Sequence, residues 1–229
     1  MMTPEVSVIA FDVNETLSDM SGMAERFVDI CAPADLARLW FATVLREGFA
    51  LAAAGDIARF ADIGTEVLHS LLVKENLDRD LDEAVAYVMA GFTRLPVHPD
   101  VVAGIRALKD QGLRLVTLSN GATSVAEALL GTAGVRDDFE ALLSVEDAGV
   151  WKPARAAYDY AVEACGVRAE EMMLVAVHPW DTHGASRAGL RSAWLNRNGA
   201  TYPGYLQPAD VTAPTLVALA ESLRDGQKI

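Results

Sequence analysis

The chain has 229 residues, 52% of them hydrophobic, and a formal charge of −13 from 19 Lys and Arg against 32 Asp and Glu. That length can bury one sizeable core plus a smaller accessory lobe. The charge repels a phosphate backbone, no basic run or interleaved aromatics offset it, and nucleic acid is excluded as a partner; a small anionic substrate would have to be met by local positive groups.

Only Cys31 and Cys165 occur, without a C-x-x-C pair, so neither a disulfide framework nor a thiolate zinc site is indicated, and a reducing, cytoplasmic setting is expected. The opening MMTPEVSVIAFD has no basic region, and its apolar run stops at Asp12. That is too short for a signal peptide or a membrane span.

In chain order, VSVIAF (6–11) reads as a first buried strand. It places Asp12 as an exposed carboxylate at its tip, with Asn14 and Thr16 just beyond. Residues 20–95 then carry helix periodicity instead of strands. DLARLWFATVLREGFALAAAG and LDEAVAYVMAGF are the clearest segments, the latter with Leu81, Val85, Val88, Met89 and Phe92 on one face. TRLPVHPD resists helix through Pro96 and Pro99 and returns the chain to the core. DVVAGIRALKDQG follows as a helix that Asp100 can cap and Gly112 can end. Further strands are expected at LRLVTL (113–118), ALLSV (141–145), MMLVAV (172–177) and SAWLN (192–196). Alternation with helices implies an α/β fold with a parallel sheet covered on both faces, interrupted by a helical insertion after strand one.

Ligands of open parallel sheets sit beyond the carboxyl ends of the strands. The residues found there are Asp12, Asn14 and Thr16; Ser119, Asn120 and Gly121; Lys152 in EDAGVWKP; and His178 and Asp181 in HPWD. A carboxylate, a hydroxyl, an amide, a lysine and a histidine converge.

FDVNETL, a helical insertion, LSNG, SVEDAGVWKP, HPWDTHGA and AWLNRNG, in that order, resemble the haloacid dehalogenase superfamily and, within it, the L-2-haloacid (type II) dehalogenases. The resemblance runs through the whole chain. It implies a Rossmann-like core of residues 1–18 and 97–229, an α-helical cap of residues 19–96, Asp12 as nucleophile, no cofactor, a small-molecule haloacid substrate and, as relatives are commonly homodimers, a homodimer.

The chemistry fits the residues. A carboxylate can displace a leaving group to form an aspartyl ester that water then hydrolyses. Lys152 can keep Asp12 ionised, and Thr16, Ser119 and Asn120 can hold its second oxygen. Phosphatases of the superfamily carry a second Asp where this chain has Asn14, and use it to protonate a leaving alkoxide and to hold Mg²⁺. Asn14 cannot act as a general acid, and a departing halide needs none. Near HPWD the only acid is Asp181, so the site is expected to be metal-free. Asp181 is expected to orient Lys152 or the hydrolytic water, or else to cap a helix THGASRAG.

The chain departs from its relatives at two places. Their fourth motif places Ser and Asn where this chain has Ala176 and His178, and His178 is a candidate base for ester hydrolysis. His183 reads as a helix-face residue, and His69 and His98 lack a supporting motif. The relatives' cap Arg after an LW pair is replaced by Phe41, and Arg46 is the candidate substitute for binding the substrate carboxylate. Asn14, Trp40, Phe41, Arg46, Tyr158 and Trp180 are expected to bind substrate, Tyr158 by holding Lys152 or the catalytic Asp; Trp151 and Phe49 read as packing. The expected reaction is metal-free hydrolysis of short 2-haloalkanoic acids to 2-hydroxyacids. The alternatives are a Mg²⁺-dependent phosphatase or phosphonate hydrolase on the same fold, and a non-catalytic binding protein.

Overall fold

The computed structural model describes residues 6–226. The chain forms β1 (Val8–Phe11), a run of helices α1 (Met23–Val28), α2 (Leu36–Ala54), α3 (Phe60–Leu72) and α4 (Leu81–Phe92), then α5 (Val101–Lys109), β2 (Arg114–Ser119) and α6 (Thr123–Thr132). It continues through β3 (Ala141–Ser144), α7 (Val145–Ala148), α8 (Arg155–Cys165), β4 (Met172–Ala176), α9 (Pro179–Ala188), β5 (Arg191–Leu195), β6 (Val211–Ala213) and α10 (Leu216–Gly226).

The strands pair in parallel in the order β3-β2-β1-β4-β5-β6. Side chains alternate across the sheet. Ile9, Phe11, Leu115, Met173 and Val175 face α5, α6 and α10 through Ile105, Leu108, Leu130 and Leu219. Val8, Ala10, Val116, Leu118 and Leu174 face α8 and α9 through Tyr158, Ala161 and Ala185. Burial on both faces is why these strands are continuously apolar in sequence. Phe11 lies level with Thr117 on one side and Val175 on the other. The chain therefore ends β1 at the point where strand order reverses, the crevice that binds ligands in such sheets.

The helices α1 to α4 have their own apolar centre. Trp40 is wrapped edge-on by Phe60 and Phe92, and its indole N–H donates to the Gly64 carbonyl at 2.9 Å. This cluster also takes in Val145, Trp151 and Ala157 from the sheet-bearing body. Trp151 stacks on Phe60 and donates to the Ala58 carbonyl at 2.9 Å. Room for it exists because residue 48 is glycine; a Cβ there would overlap the indole. The two chain crossings between the bodies are laced together by a Ser18–Val97 bridge, with Asp19 N–H donating to Pro96 O at 2.8 Å and His98 N–H to Leu17 O at 3.0 Å.

Several local expectations are corrected. Asp100 does not cap its own helix; its carboxylate accepts from the Leu216 N–H at 2.6 Å and from Arg197 at 2.7 Å, so it serves the start of α10. The helix after HPWD begins at Pro179, not at Thr182, because proline fits the first helical position. The edge strand β6 was not anticipated, since three residues with an exposed middle leave no apolar run to read.

Candidate active site

Asp12 continues the β1–β4 ladder one residue past the strand, its N–H donating to Val175 O at 3.0 Å. The sequence placed an exposed carboxylate there; the structure buries it to 4% exposure. Thr16 Oγ1 donates to Asp12 Oδ2 at 2.6 Å and accepts from the Val177 N–H at 3.1 Å, so it ties the loop after β1 to the end of β4. Lys152, wholly buried, donates to Asp12 Oδ1 at 3.0 Å and to Asp181 Oδ2 at 2.6 Å.

Ser119 and Asn120 do not hold the second Asp12 oxygen. Ser119 Oγ accepts from the Gly121 N–H at 2.9 Å, and Asn120 Oδ1 accepts from the Lys152 N–H at 3.0 Å. They shape the loop after β2 and anchor the backbone of Lys152. Asp181 lies in the first turn of α9 without capping it, since the cap position belongs to His178. Its other oxygen, Oδ1, accepts from the Tyr158 hydroxyl at 2.7 Å. Tyr158 thus holds Asp181, not Lys152 or Asp12. Gly184 allows this approach: a Cβ there would lie 2.5 Å from the Tyr158 hydroxyl.

Electrostatics follow from one cation between two buried acids. Burial works against the Lys152 ammonium, but Asp12 and Asp181 outweigh it and its pKa is raised. Burial raises the Asp181 pKa against the pull of Lys152, with Asp12 adding to the rise. Burial and the neighbouring Asp181 charge push Tyr158 well above its ordinary value, so it remains a donor at neutral pH. The same geometry fits a divalent metal poorly. The carboxylates that would hold Mg²⁺ are already bridged by an ammonium, Asn14 offers no charge, and among the described residues no group of three His, Cys, Asp or Glu side chains is arranged as a metal site.

Beside this buried triad lies Trp180, its ring centroid 6.0 Å from Lys152 Nζ. His178 is sandwiched between Phe41 at 6.2 Å and Trp180 at 5.2 Å, and Trp180 takes Phe49 edge-on at 4.9 Å. Phe49, expected to be packing, packs edge-on against Trp180. Trp40, expected in the pocket, is instead fully buried among α1 to α4. His178 borders a cavity of about 940 Å³ whose walls include Glu15, Arg38, Phe41, His98 and Arg197. Its Nε2 lies 3.3 Å from the Asn14 carbonyl, 3.6 Å from Glu15 Oε2 and 3.7 Å from Asp12 Oδ2.

Arg46 is not near this cavity. Its side chain is 71% exposed, pairs with Glu47 and borders a separate groove between α2 and α3. Arg38 lines the cavity instead. Residues 38, 41, 42 and 45 of α2 all line the cavity, a spacing that puts Arg38 on the face of Phe41. Helical periodicity counted from Phe41 was the signal that would have chosen Arg38 over Arg46. Glu15, His98 and Arg197 also escaped the sequence reading. His98 Nε2 lies 2.9 Å from the Glu15 carbonyl, and Arg197 bonds Thr16 O at 3.0 Å, contacts set by folding and unmarked by any local pattern. His183 accepts from the Gln207 N–H at 2.9 Å, a structural role.

A family model described as haloacid dehalogenase-like hydrolase matches residues 6–189. Haloacetate dehalogenase H-2 of Moraxella sp. (strain B) is 31% identical, covering 94% of this chain and 96% of its own. The (S)-2-haloacid dehalogenase of Pseudomonas sp. (strain YL) is 30% identical, covering 93% and 92%. Among solved structures, an L-2-haloacid dehalogenase superposes with a TM-score of 0.90 at 27% identity, over 96% of this chain and all of that one.

Proposed function

The chain belongs to the haloacid dehalogenase-like hydrolases, and from that premise we propose that it hydrolyses short 2-haloalkanoic acids to 2-hydroxyacids, with Asp12 as nucleophile and without a metal. Asp12 attacks the halogen-bearing carbon from the side opposite the leaving group, forming an aspartyl ester with inversion; water then attacks the Asp12 carbonyl carbon, which leaves that inversion in place. Lys152 and Thr16 each bond one oxygen of the Asp12 carboxylate and fix its orientation. Tyr158 and Asp181 hold Lys152 from behind. Ring edges of Phe41 and Trp180 shield the departing halide from bulk water. Arg38 supplies the positive group that a carboxylate substrate requires in so acidic a chain.

The observation that carries this reading is the Lys152 ammonium between Asp12 and Asp181, combined with an amide at Asn14. It supplies a pre-oriented carboxylate nucleophile and withholds both the general acid and the metal cradle that a phosphate ester needs. The names of the relatives support the substrate class. Family resemblance further supports a cytoplasmic homodimer; among the described residues no helix is long and apolar enough to cross a membrane. A single-species monomer in sedimentation would contradict the dimer.

The test compares halide release from L- and D-2-chloropropionate, chloroacetate and fluoroacetate with phosphate release from an aryl phosphate, each with EDTA or Mg²⁺. The expected result is halide release that survives EDTA and disappears in Asp12→Asn. Phosphate release that requires Mg²⁺, with no halide released, would overturn the proposal.

A further inference from the structure

Three consecutive carbonyls after the nucleophile are each met by a side chain from a different part of the chain. Asn14 O lies 3.3 Å from His178 Nε2, Glu15 O lies 2.9 Å from His98 Nε2, and Thr16 O accepts from Arg197 Nη2 at 3.0 Å. Between them Glu15 adopts φ of +61°, a left-handed conformation that costs a non-glycine residue strain and persists only where surrounding contacts over-determine it. The loop that follows Asp12 is thus held in a shape it would not keep alone.

Of the three side chains, Arg197 has the fixed chemistry, since a guanidinium stays charged and donates at any working pH. It stands two residues past β5, in the motif AWLNRNG. Its Nη1 pairs with Asp100 Oδ1 at 2.7 Å, and the two side chains are only 13% and 14% exposed. The other Asp100 oxygen accepts from the Leu216 N–H at 2.6 Å, at the start of α10. The planar fork therefore aims one nitrogen at a braced carboxylate and another at the Thr16 carbonyl.

Thr16 is where this bracing meets the chemistry. Its carbonyl is held by Arg197, while its hydroxyl donates to Asp12 Oδ2 at 2.6 Å and accepts from the Val177 N–H at 3.1 Å. Drift of the Thr16 backbone would carry that hydroxyl away from the carboxylate. Resting on the reading of Asp12 as nucleophile given above, we infer that Arg197 is a positioning residue: braced by Asp100, it fixes the Thr16 backbone so that the Thr16 hydroxyl keeps Asp12 aligned for attack. The demand on alignment is steep, because reacting groups misplaced by about 1 Å can lose about 10²-fold in rate.

The experiment uses the full-length enzyme with 2-chloropropionate and compares wild type, Arg197→Lys, Thr16→Val and the double variant, following halide release in the first turnover, KM and Tm. Lysine keeps a positive charge beside Asp100 and the cavity but lacks the fork, so KM and Tm should stay near wild type while the first-turnover rate falls by about 10-fold or more. On the Thr16→Val background the same change should cost no more than about threefold, because the hydroxyl through which Arg197 acts is already gone; residues acting independently would multiply their losses. Asp100→Asn keeps an amide oxygen for the Leu216 N–H but loosens Arg197. It should show the same dependence on Thr16, and it replaces Arg197→Lys in the cycle if that variant does not fold. A first-turnover rate within about threefold of wild type in folded Arg197→Lys, or losses that multiply on the Thr16→Val background, would overturn the inference while leaving the dehalogenase reading intact. Absence of halide from wild type itself would overturn both.

Discussion

Lys152 is the residue on which the buried site depends, because it is the cation between Asp12 and Asp181. Removing one partner of a buried ion pair strands the other, at a cost of about 3–5 kcal/mol. Lys152→Met should lose stability on that scale in urea unfolding, and Lys152→Met combined with Asp181→Asn should recover part of it. The pH dependence has a definite sign. The native Lys152 pKa is raised above 10.5, so the folded state holds the proton more tightly than the unfolded chain. Its stabilisation is complete below about 10.5 and is lost as pH rises through the native value. On the alkaline side, wild type should therefore lose its stability advantage over Lys152→Met only in strongly alkaline urea titrations; a loss just above neutral pH would contradict this assignment. Arg46 and Arg38 give the opposite contrast on one helix. Arg46→Ala should leave KM unchanged and stability within about 0.5 kcal/mol, as expected of an exposed surface side chain. Arg38→Ala should raise KM for haloacids, and an unchanged KM would remove Arg38 from the substrate site.

At the scale of elements, the helical insertion meets the sheet-bearing body through Trp151, which precedes Lys152 directly and is stacked on Phe60 of α3. Docking of the helices and placement of the lysine are thus parts of one contact. Gly48→Ala should force the indole from its seat, costing about 1–3 kcal/mol as overpacking does and lowering kcat through displaced Lys152; full activity and native Tm would show that α2 yields without moving Trp151. The laced crossings at Ser18 and Val97 support the proposed division into residues 19–96 and the remainder. Much of this layer was legible in the sequence. The apolar runs leading into Asp12 and ending at Ala176 are fully buried strands, and the one ending at Ser119 is buried except at Arg114; a run buried on both faces reads clearly from composition alone. What was illegible has a common cause. Asp100 serves α10, Ser119 and Asn120 serve backbone groups, and Trp40 serves the helical centre. Sequence shows that a polar or aromatic residue stands at a strand end or a helix face, but its partner is chosen by tertiary placement. Glu15 was missed for the same reason, since its left-handed turn and its distance to His178 exist only in the folded chain.

For the whole molecule, the formal charge of −13 sets a general field against an anionic substrate. Arg38 and Arg197 line one cavity together with Glu15 and Asp19, and in the proposed reading these two arginines are the local positive groups that let an anionic substrate approach an acidic surface. Screening should weaken the repulsive field more than the short contacts within the cavity. KM should therefore fall or hold steady as salt rises toward about 0.15 M, and a steep rise would indicate that long-range steering dominates. All of these assignments serve one central claim, that Asp12 bonds covalently to substrate and is regenerated by attack at its own carbonyl carbon. The direct measurement is a single turnover of excess enzyme on 2-chloropropionate in water enriched in ¹⁸O, with mass analysis of both product and the peptide containing Asp12. The account predicts a first-turnover 2-hydroxyacid free of label and an Asp12 carboxylate that has gained it. Labelled product with unlabelled Asp12 would mean that water attacks the substrate directly, and would contradict the claim.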